Sequence, residues 1–314
     1  MRYFLDLFSP QTYEAFARSD RSVSGFRRRH RGIANRVKSA LTGRRGAPML
    51  QLYADLWKSW RKGVVYSPTT TILFRLGPVV LVCTALLAAG LLPLDGTTSP
   101  IRFTGDLVAF AGLLALGRFM LVLAALDTGS SFEGMGASRE VTFAVFAEPA
   151  LFLCFTVFVV ATGDLRLQGM LGQPLAHAWL ATAPSLLLGA ASLFIVSLAE
   201  TNRVPIDDPL THLELTMVHE VMVLDHSGPD LALILYASAL KMALFGSLVV
   251  RVFVAGAMVS APMALGLLLI GLVVYAMAVG VVESVMARLR MSHVPQLLVA
   301  ASATAGFGLI LLLR

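Results

Sequence analysis

Seven stretches of this 314-residue chain are apolar for long enough to cross a lipid bilayer, and that feature narrows the available folds more than any other. They run roughly over residues 72–92, 105–126, 141–161, 179–199, 231–256, 261–282 and 295–313. A spanning helix needs about 20 mainly apolar residues. Inside hydrocarbon every backbone N–H and C=O must be satisfied without water, which leaves helices and closed barrels as the only spanning structures. Barrel strands read as short alternating segments, and the chain has none. Its composition agrees, with 14% charged residues against about 25% in an ordinary soluble domain. The expected fold class is an all-α polytopic membrane protein of about seven transmembrane helices, with an N-terminal basic and interfacial amphipathic segment.

Charge sets the expected orientation. Residues 1–63 hold 14 Lys/Arg and 4 Asp/Glu, a balance of +10, and the remainder hold 11 and 15, a balance of −4. The basic run "FRRRHRGIANRVKSALTGRR" is a retention signal under the positive-inside rule rather than a nucleic-acid site, so no nucleic-acid partner is expected. The first residues lack the apolar core of a signal peptide. Threading seven spans from a cytoplasmic N-terminus puts residues 127–140, 200–230 and 283–294 inside and residues 93–104, 162–178 and 257–260 outside. Ahead of the first span, Met49, Tyr53, Leu56, Trp57, Trp60 and Val64 form an apolar stripe flanked by Lys58, Arg61 and Lys62. Such a helix suits the membrane interface, with membrane lipid as its partner. The organisation is therefore a basic cytoplasmic extension over 1–46, an interfacial amphipathic helix over 47–66 and a transmembrane helical domain over 67–314.

Chemistry concentrates in two places. Arg118, Glu148 and Lys241 fall deep inside expected spans, where an unpaired charge costs about 2.5 to 3.5 kcal/mol on insertion scales. At about 1.5 Å per residue, Arg118 and Glu148 would lie roughly 10 to 12 Å from the same membrane face and so could meet. A structural ion pair and a station on a proton or ion route are both open readings. Arg75, Asp106, Arg251 and Glu283 lie nearer span ends, where long side chains can snorkel to the interface.

The second concentration is "AETNRVPIDDPLTHLELTMVHE", residues 199–220, with Glu200, Arg203, Asp207, Asp208, His212, Glu214, His219 and Glu220. Pro205 and Pro209 stop the preceding helix, and Thr211 with Glu214 gives a capping-box pattern for its resumption. His212 and His219 would share a face. Without an HExxH motif or a clear third ligand, the segment reads as a titratable, solvated loop instead of a metal site. Cys83 and Cys154 form no CxxC or iron–sulfur pattern, so no cofactor is expected on this chain. The segment "LDTGSSFEGMGASRE" does not complete GxGxxG, and reads as a flexible inside loop carrying Arg139.

Four stretches in order, "RRGAPMLQLYADLWK", "LDTGSSFEGMGASRE", "AETNRVPIDDPLTHLELTMVHEVMVLDHSG" and "ESVMARLRMSHVP", resemble the membrane-anchor subunit shared by respiratory complex I (its subunit 1) and the complex-I-like NiFe hydrogenases, including formate hydrogenlyase. The "THLELTMVHE" ending is similar to the hydrogenase branch. The resemblance implies a non-catalytic subunit of an oxidoreductase complex that docks a peripheral redox module and couples its electron transfer to proton or sodium translocation. NiFe and iron–sulfur centres would sit in partner subunits: the hydrogenase large and small subunits and an iron–sulfur subunit, beside antiporter-like membrane subunits. It also implies Glu148, Glu200, Glu214 and Glu220 as the acids of the coupling path, with Arg139 and Arg203 in the inside loops. The location would be the cytoplasmic membrane. Relatives carry a transmembrane helix before the "RRGAP" motif, and residues 1–46 have no apolar run long enough for one. The alternatives are a quinone-site membrane subunit of a complex-I-like dehydrogenase and a stand-alone secondary transporter, which would show paired broken helices in two related halves.

Overall fold

The first span starts where side-chain chemistry fixes it. Thr71 caps it by accepting a hydrogen bond from the Leu73 N–H, while its own N–H and hydroxyl donate to the two carboxylate oxygens of Asp127 at 2.6 and 2.8 Å. One acid thus closes the end of one helix onto the start of another, satisfying donors that a helix N-terminus leaves open. The structure, a computed structural model, describes residues 36, 37, 39, 51–93, 99–207, 217–254 and 261–314.

Within those residues the elements are α1 (Gln51–Trp60), α2 (Ile72–Leu91), α3 (Asp106–Asp127), α4 (Ser131–Thr162), the short α5 (Leu167–Met170), α6 (Gln173–Glu200), the short α7 (His219–Met222), α8 (Gly228–Val254), α9 (Ala261–Val285), a 3-10 turn at Met291–His293 and α10 (Val294–Leu313). There is no strand among the described residues. Seven of the helices, α2, α3, α4, α6, α8, α9 and α10, are long and apolar enough to cross a membrane. The chain is an integral membrane protein, as its apolar periodicity requires.

Backbone contacts sort the connections onto two faces. Thr71 meets Asp127, Arg139 reaches the Met217 carbonyl, the Asp225 N–H donates to Glu133 and the Leu289 N–H donates to the Pro205 carbonyl. The ends of α3, α6 and α9 therefore share a proximal face with α1 and α7. On the distal face the Leu167 N–H donates to Asp106 at 2.8 Å. Spans pack as α2 on α3, α4 on α6 and α10, and α8 on α2 and α9. Lipid offers no hydrophobic drive between helices, so close approach must come from small residues. A methyl placed at Gly77 would come within 2.8 Å of the Ala124 side chain, which is why α2 and α3 touch along their length.

The main departure from expectation is at residues 127–140. They are not a flexible loop. α4 begins at Ser131 and runs 32 residues, leaving three connecting residues after α3. Gly129 supplies the turn, with φ +70. Gly136 serves packing instead: a Cβ there would lie 3.0 Å from Met222 Cγ and from the Val218 carbonyl oxygen. Glycines read as loop punctuation are here the contact between α4 and α7. α4 runs through Pro149, whereas α6 departs from helical geometry at Thr182, two residues before Pro184. The segment expected to lie in the membrane interface is helical over Gln51–Trp60 and non-helical from residue 63 to the start of α2. Residues 1–35 and 40–50, which hold most of the basic extension, lie outside the described residues.

Candidate functional site

Arg118 sits midway along α3, and its guanidinium is the centre of a buried cluster drawn from four spans. Its Nη1 donates to Glu148 Oε1 at 2.8 Å, its Nη2 donates to both carboxylate oxygens of Glu200, and its Nε lies 3.4 Å from Glu140 Oε1. Lys241 of α8 reaches Glu200 Oε2 at 2.8 Å. Glu140 and Glu148 both come from α4, eight residues apart, so they bracket Arg118 from one side while Glu200, in the last turn of α6, closes the other. A planar fork of donors is the chemistry that lets one cation serve several carboxylates. With every group ionised, three carboxylates face two cations, which leaves one formal negative charge in the cluster.

Two cavities meet at this cluster. The smaller, about 40 Å³, is lined by Thr84, Arg118, Glu140, Glu200, Asn202, His219, Ser238 and Lys241 among others. A water centre needs about 10–15 Å³ and two to four polar partners, so this space suits a few waters. The larger, about 200 Å³, opens past Ala111, Gly112 and Ala115 to Glu148. Leu114, Arg118 and Glu200 line both cavities and stand between them. The acids differ sharply in burial: the Glu200 side chain is 1% exposed and that of Glu148 is 42% exposed. The cluster thus runs from a proximal chamber, where charged groups enter a largely apolar lining, to an acid on the lateral surface of the helix bundle.

The proximal face is held by a second set of charges. Arg203 donates to Glu283 at 2.9 Å, both buried. Asp207 accepts the N–H groups of Val218 and His219 at 3.1 Å each and pairs with Arg288 at 3.2 Å. Arg139 donates to the Met217 carbonyl at 2.9 Å. Nearby, Tyr66 donates to Asp230 at 2.9 Å under the Arg75 guanidinium; burial and that hydrogen bond push its phenol up to about 12. His226 stacks flat on Phe74 at 4.0 Å, and burial pulls its imidazole down to about 4.

Residues 23–313 match the family model described as NADH dehydrogenase. The chain belongs to that family. It is 36% identical to hydrogenase-4 component C of Escherichia coli K12 over 225 residues, 71% of this chain and 69% of the relative. With formate hydrogenlyase subunit 4 of the same organism it shares 30% over 283 residues, 88% of this chain and 89% of the relative. A subunit of the NADH-quinone oxidoreductase of Polaromonas naphthalenivorans is 28% identical over 66% of this chain and 60% of its own length. A chain in the structure of the membrane-bound sulfane sulfur reductase, an archaeal respiratory membrane complex, superposes with a TM-score of 0.77, covering 91% of this chain and 94% of its own at 20% identity; this establishes the shared fold.

Against this NADH dehydrogenase family background, the structure brings Arg118, Glu148, Glu200 and Lys241 together and adds His219 to the lining of the smaller cavity. Glu220, in α7, lines neither cavity. Arg139, Arg203 and Asp207 form ties of the proximal face, outside the cluster. Asp208, His212 and Glu214 lie outside the described residues, and the capping box at Thr211 with them. Glu140 escaped the sequence reading because the expected span began one residue after it. Glu133, Glu140 and Glu148, spaced by seven and eight, would have shown a single acidic face had the helix been extended. The snorkelling assigned to Asp106, Arg251 and Glu283 is overturned, since all three are buried. Asp106 and Glu283 find protein donors in the Leu167 N–H and Arg203, so neither needs the interface. Arg75 stays exposed, over the Tyr66 ring.

Proposed function

We propose that this chain is the membrane subunit of a hydrogenase-type complex, non-catalytic itself, which docks a peripheral redox module and couples its electron transfer to proton or sodium translocation. The observation that carries the reading is the Arg118 cluster: three carboxylates and two cations placed between two cavities within the spans. Charges at that depth are expensive and mark ion pathways when they face polar space. Two relatives at 30% identity or more bear the names hydrogenase-4 component C and formate hydrogenlyase subunit 4, which supports the hydrogenase reading over the quinone one. NiFe and iron–sulfur centres belong to the large, small and iron–sulfur partner subunits, and antiporter-like subunits complete the membrane arm.

In this mechanism a charge change in the peripheral module is felt first at the proximal face, around His219 and the smaller cavity. A proton entering there neutralises the one negative charge of the cluster. Arg118 then redistributes its hydrogen bonds among Glu140, Glu148 and Glu200, and the acid at the lateral surface, Glu148, passes the change to the next membrane subunit. The test is Glu140→Gln, Glu148→Gln and Glu200→Gln in the assembled complex, with hydrogenase turnover, ion uptake into vesicles and copurification measured together. The expected result is assembly with electron transfer but reduced ion uptake for Glu140→Gln and Glu148→Gln. Wild-type ion uptake in both would overturn the coupling role. Copurification of a quinone-reducing module in place of a NiFe subunit would transfer the site to the alternative complex.

A further inference from the structure

We propose that α1 and the turn after it form a binding surface for anionic lipid headgroups, with Trp57 and Trp60 seated at the headgroup boundary and Lys58, Arg61 and Lys62 on the phosphates. No residue of α1 is buried, and α1 packs against α8. At 100° per residue Leu52, Leu56 and Ser59 share one flank, and they are partly buried together with Tyr53 and Asp55. The tryptophans fall on the next flank, Trp57 at 54% and Trp60 at 40% exposure. Arg61 lies 5.4 Å from the Trp57 ring centre, Lys58 is on the helix beside them, and Lys62 lies in the turn that follows. From Gln51 to Gly63 three cations face the single acid Asp55, which accepts from Gln51 at 2.9 Å.

The height of α1 is set by backbone contact. At Gly228, φ +56, a Cβ would come 2.7 Å from the Gly63 carbonyl oxygen, and the Val65 N–H donates to Ser227. The turn after α1 is therefore held at the point where α8 enters the membrane. A few residues later the exposed Ile72, Leu73 and Leu76 open α2 toward lipid. Aromatic rings beside a cationic strip, continuous with a lipid-facing surface, have the chemistry of a membrane interface. Basic residues near an anionic surface gain about 1 kcal/mol each, a roughly fivefold preference per residue. A neutral headgroup gives the cations no such gain, which makes the surface selective.

The experiment uses membranes containing the whole complex, incubated in parallel with photoactivatable phosphatidylglycerol or phosphatidylcholine at equal amounts, with crosslinked peptides mapped by mass spectrometry. Crosslinks to residues 51–62 are expected several-fold more often from phosphatidylglycerol, on the order of fivefold for each cation that reaches a headgroup. The preference is expected to fall as salt is raised. The K58Q/R61Q/K62Q variant should bring the two lipids level at 51–62 and leave crosslinks at Ile72–Leu76 unchanged. Equal labelling of 51–62 by both lipids in the wild type would overturn the proposal. So would labelling confined to Ile72–Leu76, which would give the tryptophan flank to a protein partner.

Discussion

Arg118 holds its cluster through geometry that no other cation reproduces. A lysine presents a compact point charge, whereas the guanidinium offers five donors in a fixed plane. Removing one partner of a buried ionic set leaves uncompensated charge and costs about 3–5 kcal/mol. Arg118→Met is therefore expected to lower the thermal midpoint and the yield of assembled complex severely, with Arg118→Lys falling between it and wild type. Equal yields for the two variants would show that charge alone matters. His226 gives a residue-scale prediction of opposite sign. Its imidazole titrates at 6.5 in its ordinary state and at about 4 when buried against Phe74. Between those values the unfolded segment binds a proton that the folded one refuses, so stability of the 223–227 turn falls as pH falls through that interval. Neither ring nitrogen has a hydrogen-bond partner among the described residues, and an unsatisfied buried polar group costs about 1–3 kcal/mol. His226→Phe should thus be neutral or stabilising and should flatten the pH dependence. Thermal midpoints of both proteins across the interval decide it, and parallel curves would refute the assignment.

At the scale of elements, the spans were legible because twenty apolar residues in a row have few physical alternatives, and Arg118 and Glu148 were legible as a pair because helical rise fixes depth. The beginning of α4 was not. Its first turns are polar and glycine-containing, and local propensity gives glycine about 1 kcal/mol against helix; the contact of Gly136 with α7 wins, and a single sequence carries no sign of that contact. Glu140 went unnoticed for the same reason, and Glu283 was read as a snorkelling span-end acid because its partner, Arg203, is 80 residues away. The two glycines separate the causes. A side chain at Gly136 meets Met222 and Val218, while at Gly134 nothing lies within 4 Å. Gly136→Leu is expected to destabilise by about 1–3 kcal/mol through overpacking. Gly134→Ala should be neutral or stabilising by up to about 1 kcal/mol. Thermal unfolding of the two variants in detergent checks the contrast, and equal effects would mean that α7 does not dock on α4.

For the whole molecule, the direction in which the proximal face points decides whether the smaller cavity opens toward the side on which the proposed redox module would dock. The positive-inside rule counts Lys and Arg near span ends. The proximal face has Lys58, Arg61, Lys62, Arg75, Arg139, Arg203, Arg288 and Arg290, and the basic run of residues 1–45 precedes them in the sequence; the distal ends of the spans have Arg102, Arg166, Arg251 and Arg314. That asymmetry predicts a cytoplasmic proximal face. Asp207 is a poor reporter for it, being buried and bonded to Val218, His219 and Arg288. Lys62 and Arg166 are exposed and lie on opposite faces. Arg166 pairs with Asp164 at 3.2 Å and holds that carboxyl below its usual range, but an exposed pair contributes little to stability, so a cysteine there is tolerated. Of the native thiols, Cys154 is buried and Cys83 lies on α2 within the membrane, so an unsubstituted chain gives the background for a membrane-impermeant maleimide. Arg166→Cys is expected to react in intact cells and Lys62→Cys to stay unlabelled there. Labelling of Lys62→Cys with protection of Arg166→Cys would invert the molecule. The charged chamber would then face away from the cytoplasm, and a redox module docked on the cytoplasmic side could reach the Arg118 cluster only across the full depth of the membrane.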